Sequence, residues 1–165
     1  MGMIVRAIAA VLCAWALYAW VWVPHRSSLE VTELARRTDG AARTASDYER
    51  TVRARANVAA LGRLRESSPT DVRVPMLIAG NQMLMGLREE AVRSYDEALR
   101  VDPRPEIFMA RGDALVEMAR VEDAIESYAT AVQFDARFLN FIAPGILQDR
   151  IRERASSKEL IIRRF

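Results

Sequence analysis

Small residues recur in this chain at one fixed offset, with Ala79 matching Gly112, Ala91 matching Ala124 and Ala98 matching Ala131, and a ring recurring at Tyr95 and Tyr128. An interval of about 33 residues is the signature of a helical repeat. One unit of such a repeat cannot bury its apolar face alone, so units stack and leave a continuous surface suited to holding something else. The chain is therefore predicted to bind rather than to catalyse. Its 165 residues allow one modest domain once a membrane segment is subtracted, with no room for a second core.

The breaks along the chain set the helices. Residues 24–47 are polar, and Pro24, Ser27, Ser28, Thr38, Asp39 and Gly40 punctuate them, so they read as a linker with a short helix over 29–37. Residues 46–66 place Tyr48, Val52, Val58, Leu61 and Leu64 at three- and four-residue intervals, an amphipathic helix that Ser67, Ser68 and Pro69 stop. Asp71 can cap a helix running to about Met85, with the alternative that it starts only after Pro75; Gly86 turns the chain into a helix over 88–101. Pro105 opens the next helix, over 106–118, Ala119 and Arg120 turn it, and 122–134 forms its partner. No run alternates apolar and polar residues as a half-buried strand does, so the fold class is all α.

Charge and rare residues exclude several functions. The 24 basic and 22 acidic residues nearly balance, which leaves no nucleic-acid footprint. Lys158 is the only lysine, and this arginine bias carries no functional weight. One cysteine, Cys13, permits no internal disulfide, and one histidine, His25, cannot build a zinc site with it. The pairs Glu89/Glu90 and Glu122/Asp123 sit in first helical turns, where the helix dipole favours negative charge. No phosphate-cradling loop, nucleophile elbow or metal-ligand cluster occurs, so no catalytic residue, cofactor, metal or small-molecule substrate is assigned.

Residues 7–23 read AIAAVLCAWALYAWVWV, without a charge or a strong breaker. With Ile4, Val5 and a snorkelling Arg6 this run gives a helix of about 30 Å, the hydrocarbon thickness, and Trp20 and Trp22 lie at one end where amphipathic rings favour the interface. A cleaved leader has a shorter apolar run and small residues before the cut, whereas Trp20, Trp22 and Val23 are bulky. Residues 4–23 are thus predicted to be a single-pass anchor in the lipid bilayer. Arg26, Arg36 and Arg37 favour a cytoplasmic body, while the short basic head before an apolar run favours export. The expectation taken is a bacterial inner membrane with the domain on the exported, periplasmic side.

Taken together, Ala79, Gly86, Ala91, Tyr95, Ala98 and Pro103, and then Gly112, Ala124, Tyr128 and Ala131, resemble the tetratricopeptide repeat, paired antiparallel helices stacked into a superhelix. Ala136 replaces the closing proline of the second unit, and the aromatic of the first helical turn survives as Phe108 but is Pro75 one unit earlier. The same family period, taken one unit back, carries Ala79 to Ala45, Tyr95 to Leu61 and Ala98 to Leu64, yet places Val52 at the turn and Asn57 where alanine is expected, so this segment is either a degenerate repeat or a helical cap. A step forward puts Gly145 at the small position and Phe141 at the aromatic one, giving a closing helix over 138–154 that Pro144 breaks or kinks. The resulting layout is an anchor over 1–23, a linker over 24–47, a tetratricopeptide-like solenoid over 48–157 and a tail over 158–165. Two clear repeats sit between degenerate flanking helices.

In that family, ligands lie along the concave face of the first helices. The resemblance nominates Arg73, Met76, Gly80 and Met83, then Glu106, Met109, Asp113 and Val116, with Ile142 and Ile146 continuing the line. Such a face suits an amphipathic helix or an extended apolar segment, because methionine adapts to irregular partners. Met76, Met83 and Met109 also fit as ordinary packing residues, covered by chain ends such as Leu160, Ile161 and Ile162. The tail, SSKELIIRRF, either frays or docks on anionic lipid or a partner. The function expected is a membrane-tethered scaffold, assembly factor or structural subunit of a larger membrane complex. The alternative is an accessory subunit of a membrane enzyme complex held mainly through its span, with Cys13, Trp15 and Tyr18 facing other spans. If the small residues mark tight helix contacts, Ala91→Arg and Ala124→Arg each lower stability by more than about 3 kcal/mol, read by thermal melting.

Overall fold

The computed structural model describes residues 23–142 and 144–162, and all the regular structure there is helical. The helices are α1 (Val23–Ala42), α2 (Asp47–Ser67), α3 (Arg73–Leu84), α4 (Arg88–Val101), α5 (Pro105–Glu117), α6 (Val121–Phe134) and α7 (Ile146–Ile162), with a 3₁₀ turn over Ala136–Phe141 before α7. Consecutive helices pack on one another, α1 also touches α3, and the 3₁₀ turn rests on α6. The result is three stacked hairpins, α1/α2, α3/α4 and α5/α6, closed by α7.

The stack has two edges. At the turn edge each hairpin reverses; at the junction edge one hairpin passes to the next. Both edges are written locally. At the turn of α3/α4 the Leu87 N–H donates to the Gln82 carbonyl and the Gly86 N–H to the Met83 carbonyl, both 2.9 Å. At the turn of α5/α6 the Arg120 N–H reaches the Leu115 carbonyl and the Ala119 N–H the Val116 carbonyl, also at 2.9 Å. This double closure needs a left-handed residue at the first position past the helix cap. Gly86 takes it at φ +75°, and Ala119, its counterpart one unit on, takes it at φ +57°. Helix starts follow their sequence signals as well. Ser46 accepts from the Glu49 N–H at 3.4 Å, Asp71 accepts from the Arg73 N–H at 3.0 Å, and Pro105 stands in the first turn of α5. Helix α3 starts at Arg73, before Pro75 rather than after it, because a proline in the first turn forfeits no helical hydrogen bond.

The recurring small residues mark the tightest packing. Ala79, Ala91, Ala98, Ala124 and Ala131 have no solvent exposure, and the Tyr95 and Tyr128 rings are buried against the same core. Gly112 leaves room for nothing larger, since a Cβ there would collide with the Tyr128 ring. This core runs from α3 to α7, where Ile151 and Ala155 complete it, and a smaller cluster of Val31, Leu34, Leu61, Leu64, Val74 and Ile78 joins α1, α2 and α3.

Three expectations are corrected here. The linker over 24–47 is instead α1, a helix of 20 residues running past Thr38, Asp39 and Gly40. Val31, Leu34 and Ala41 are buried, and Thr32 and Thr38 satisfy their hydroxyls on the Ser28 and Leu34 carbonyls one helical turn back, so burial overrides weak breakers. The leading segment is neither a lone cap nor a repeat that keeps the family register throughout. Leu61 and Leu64 keep the register and are buried, but α2 has 21 residues where α4 and α6 have 14, which displaces α1 and leaves Ala45 in a turn. At the other end Gly145 precedes α7 at φ +142° and Phe141 is exposed, so the closing helix starts at Ile146 rather than 138 and its backbone continues through the expected tail to Ile162. The predicted membrane span lies outside the described residues except for Val23; among the described residues no helix is long and apolar enough to cross a membrane.

Ala119 holds the left-handed conformation with a side chain that disfavours it. Ala119→Gly is expected to raise stability by about 1 kcal/mol and Gly86→Ala to lower it by about as much, read from the melting midpoints of the two variants.

Candidate functional site

The first helices of the hairpins, α1, α3 and α5, line one face of the stack, and the structure distributes the nominated residues unevenly along it. Met76 is 39% exposed and borders an apolar groove of about 260 Å³ with Leu77 and Arg73 on α3 and Val31, Thr32 and Ala35 on α1. Gly80, one turn on, has open space where a side chain would be. Met83 and Met109 pack against the main core and are partly buried there, and Ile142 is buried in it. Glu106, Asp113 and Val116 are exposed on α5. The groove wall supplied by α1 was missed in the sequence because α1 itself reads as a linker.

A polar node fixes that wall. Asn81 on α3 is fully buried; its amide donates to Thr38 Oγ1 on α1 at 2.8 Å and to the Leu77 carbonyl at 2.8 Å. The Asn57 amide on α2 donates to Asn81 Oδ1 at 3.1 Å. Asn57 occupies the position that alanine holds in the two later hairpins, and its partner explains the departure. Three helices thus share one satisfied network, which orients α1 against α3 and keeps the groove open between them.

Arg73 is held at the mouth of the groove. Its guanidinium donates to Asp71 Oδ1 and Oδ2 at 2.9 and 2.7 Å and to Ser28 Oγ at 3.3 Å. The Arg73 guanidinium holds the Asp71 carboxyl below the usual carboxylate range, against the opposing effect of burial. The arrangement recurs at each junction, with Arg104 on Asp102 at 2.6 Å and Arg137 on Asp135 at 2.6 Å. The sequence signal for it is an aspartate two residues before an arginine, at 71, 102 and 135.

On α5, Asp113 Oδ1 accepts the Tyr128 hydroxyl at 2.7 Å. Burial, and then this carboxylate, raise the Tyr128 pKa; burial, and then the Asp113 charge, push Tyr95 up to about 12. Both hydroxyls therefore keep their protons at physiological pH, and Asp113 is engaged by a packing residue. Behind them Ser94 donates to Gln82 Oε1 at 2.7 Å, and Arg111 bonds Asp96 at 2.7 Å and Ser127 at 3.2 Å. Ser94 and Ser127 are themselves separated by the repeat interval. Among the described residues no group of histidine, cysteine and carboxylate side chains could hold a metal ion.

Stacked antiparallel hairpins with small residues at the crossings, left-handed turns between helices and a first-helix face define a tetratricopeptide-like solenoid. Among solved structures the chain is similar to a thermophilic TPR protein of Thermus thermophilus, with a TM-score of 0.65 over 84% of this chain and 68% of that one, at 18% sequence identity. At that identity the likeness is one of fold. No family model matches the chain, and no curated protein does.

Removing Asn57 leaves Asn81 Oδ1 buried with no donor in place of the one it has. Asn57→Ala is therefore expected to cost about 1–3 kcal/mol in spite of restoring the repeat's alanine, measured by denaturant unfolding against the parent chain.

Proposed function

We propose that the chain is a membrane-tethered scaffold that holds other proteins on the first-helix face of its solenoid. The open groove between α1 and α3, which Met76 lines, carries this reading. Its apolar lining lies between the guanidinium of Arg73 and the hydroxyl of Thr32, which suits one face of an amphipathic helix or an extended apolar segment of a partner. The stacked hairpins hold that lining in place, so little side-chain entropy is lost on binding. The fold is of a kind that serves as an interaction scaffold, and the reading assigns it no catalysis.

The tether comes from residues 4–23. Their length and hydropathy support a single-pass anchor, with the domain on the exported side of a bacterial inner membrane. An anchored domain meets membrane-bound partners at raised effective concentration, so a weak groove suffices. Membrane-complex subunits are accordingly the partners proposed.

Met76→Glu places a charge in the groove at a residue that is already partly exposed, so folding is retained. Mild-detergent copurification of the full chain is expected to lose its partner by at least tenfold in Met76→Glu and to keep it when the span is exchanged for an unrelated one. Loss on exchanging the span together with retention in Met76→Glu would instead identify an accessory subunit held through its span.

A further inference from the structure

Helix α1 has a second, larger opening on its other side. A cleft of about 580 Å³ separates it from α2, lined by Leu29, Leu34, Ala60 and Leu64 and flanked by Glu33 and Arg63. Leu29 is 58% exposed there, and Val52, Ala56 and Ala59 add to the exposed apolar surface of α2. Among the described residues no hairpin precedes α1, so this is one end of the stack. The other end is finished differently: between Asp149 and Ser157 every exposed position of α7 is charged or serine. A solenoid end that faces water carries a polar surface of that kind. The α1 end presents leucine, valine and alanine instead.

Charge at the cleft selects the occupant. Thr38 and Asn57 meet on Asn81, which sets the level of α1 against α2, and Glu33 and Arg63 lie five and six residues further from the turn, at one height. Glu33 accepts from Arg36 and Arg37 on its own helix, and a carboxylate has lone pairs for a further donor. Arg63 makes no ion pair among the described residues; its guanidinium reaches only the Ala59 carbonyl, at 3.4 Å. A two-fold axis parallel to the helices preserves height, so it brings α2 of a second copy against α1 and sets that copy's Arg63 opposite Glu33, once on each side of the axis. We propose that the α1/α2 cleft is closed by a second copy of this chain, the two hairpins forming a four-helix bundle with Leu29, Leu34 and Leu64 of both copies inside it. The leucines supply the attraction and the charges the register.

The choice of axis draws on the reading of residues 4–23 as a span. The backbone is helical from Val23, where the apolar run ends. An axis parallel to α1 leaves both spans on one side of the dimer, as two anchors in one bilayer require, whereas a perpendicular axis sends them to opposite sides. Val31, Thr32 and Ala35, the α1 wall of the Met76 groove, lie across α1 from Glu33 and Arg37, so pairing leaves both grooves open. The dimer is then a scaffold with two sites, and a partner that is itself paired gains from the second.

The test coexpresses full-length chains carrying two different tags, extracts them in mild detergent, purifies through one tag and reads the other. Parent chains are expected to copurify, with a protein mass of two copies by light scattering. Glu33→Arg paired with itself, and Arg63→Glu paired with itself, are each expected to lose at least tenfold of the second tag. Glu33→Arg coexpressed with Arg63→Glu is expected to return to within twofold of the parent, because the two-fold then sets arginine opposite glutamate on both sides. Parent chains that do not copurify overturn the proposal, as do single variants that still pair with themselves, which places the association in the spans or on another face. Loss in both single variants without recovery in the mixture also overturns it. Retention in membranes after alkaline washing reads the anchor separately: a chain that pairs and recovers as expected yet washes off supports the pairing and sinks only the span reading.

Discussion

Everything in this solenoid depends on how closely the helices of a hairpin can approach. At Gly112 the Tyr128 ring occupies the space a Cβ would need, and at Ala79, Ala91, Ala98, Ala124 and Ala131 the side chains are short enough to vanish from solvent altogether. Close approach brings the larger residues behind them, Ile107, Leu115 and Ile125, into full burial, and each of these contributes about 1.5–3 kcal/mol through loss of apolar surface. The small residues are thus the condition for the hydrophobic gain rather than its source. Their interval fixes the relative position of successive hairpins, and through it the first-helix face.

What was legible in the sequence was this interval and the turns that accompany it. Tyr95 and Tyr128, Gly86 and Ala119, and the helices from Arg73 to Phe134 fall where the repeat interval puts them, because periodic packing leaves periodic residues. α1 was not legible. Gly40, Asp39 and Thr38 are local breakers worth at most about 1 kcal/mol each, and Val31, Leu34 and Ala41 outweigh them only once α2 and α3 are in place to cover them. The same long-range cause hid half of the groove. Asn57 shows the converse: read against its column it is a defect, and only the buried amide of Asn81, on the next helix along, makes it a partner.

Two kinds of polar interaction do different jobs. The Thr38–Asn81–Asn57 node is buried, so each lost partner has the full cost of an unsatisfied amide, and the node specifies how α1 lies on α3. The arginine–carboxylate pairs Arg65–Glu97, Arg88–Glu117, Arg150–Glu122 and Arg154–Glu126 also bridge different helices, but their side chains are roughly one-third to two-thirds exposed. Pairs of this kind contribute about 0–1 kcal/mol each and are screened by salt. They make the outward surfaces of α4, α6 and α7 well-solvated, charge-balanced ground rather than docking sites.

Besides the α1/α2 cleft, that assignment leaves two surfaces that the fold itself does not complete. One is the α1/α3 groove, where Met76 stays partly exposed although Met83 and Met109 on the same face have turned into the core. The other is the pair of rings that follows the last hairpin, Phe134 and Phe141, which remain exposed while Ile142 is buried in the core. Alternation along the turn accounts for the second: neighbours in a tight turn point different ways, so burying Ile142 leaves Phe141 out, and the turn is fixed by Asp135 accepting from the Arg137 N–H at 2.9 Å and Gln148 donating to the Leu139 carbonyl at 3.0 Å. The groove differs, because Met76 sits on a regular helix between two others and its exposure follows from the spacing of α1 and α3 that the buried asparagine node sets.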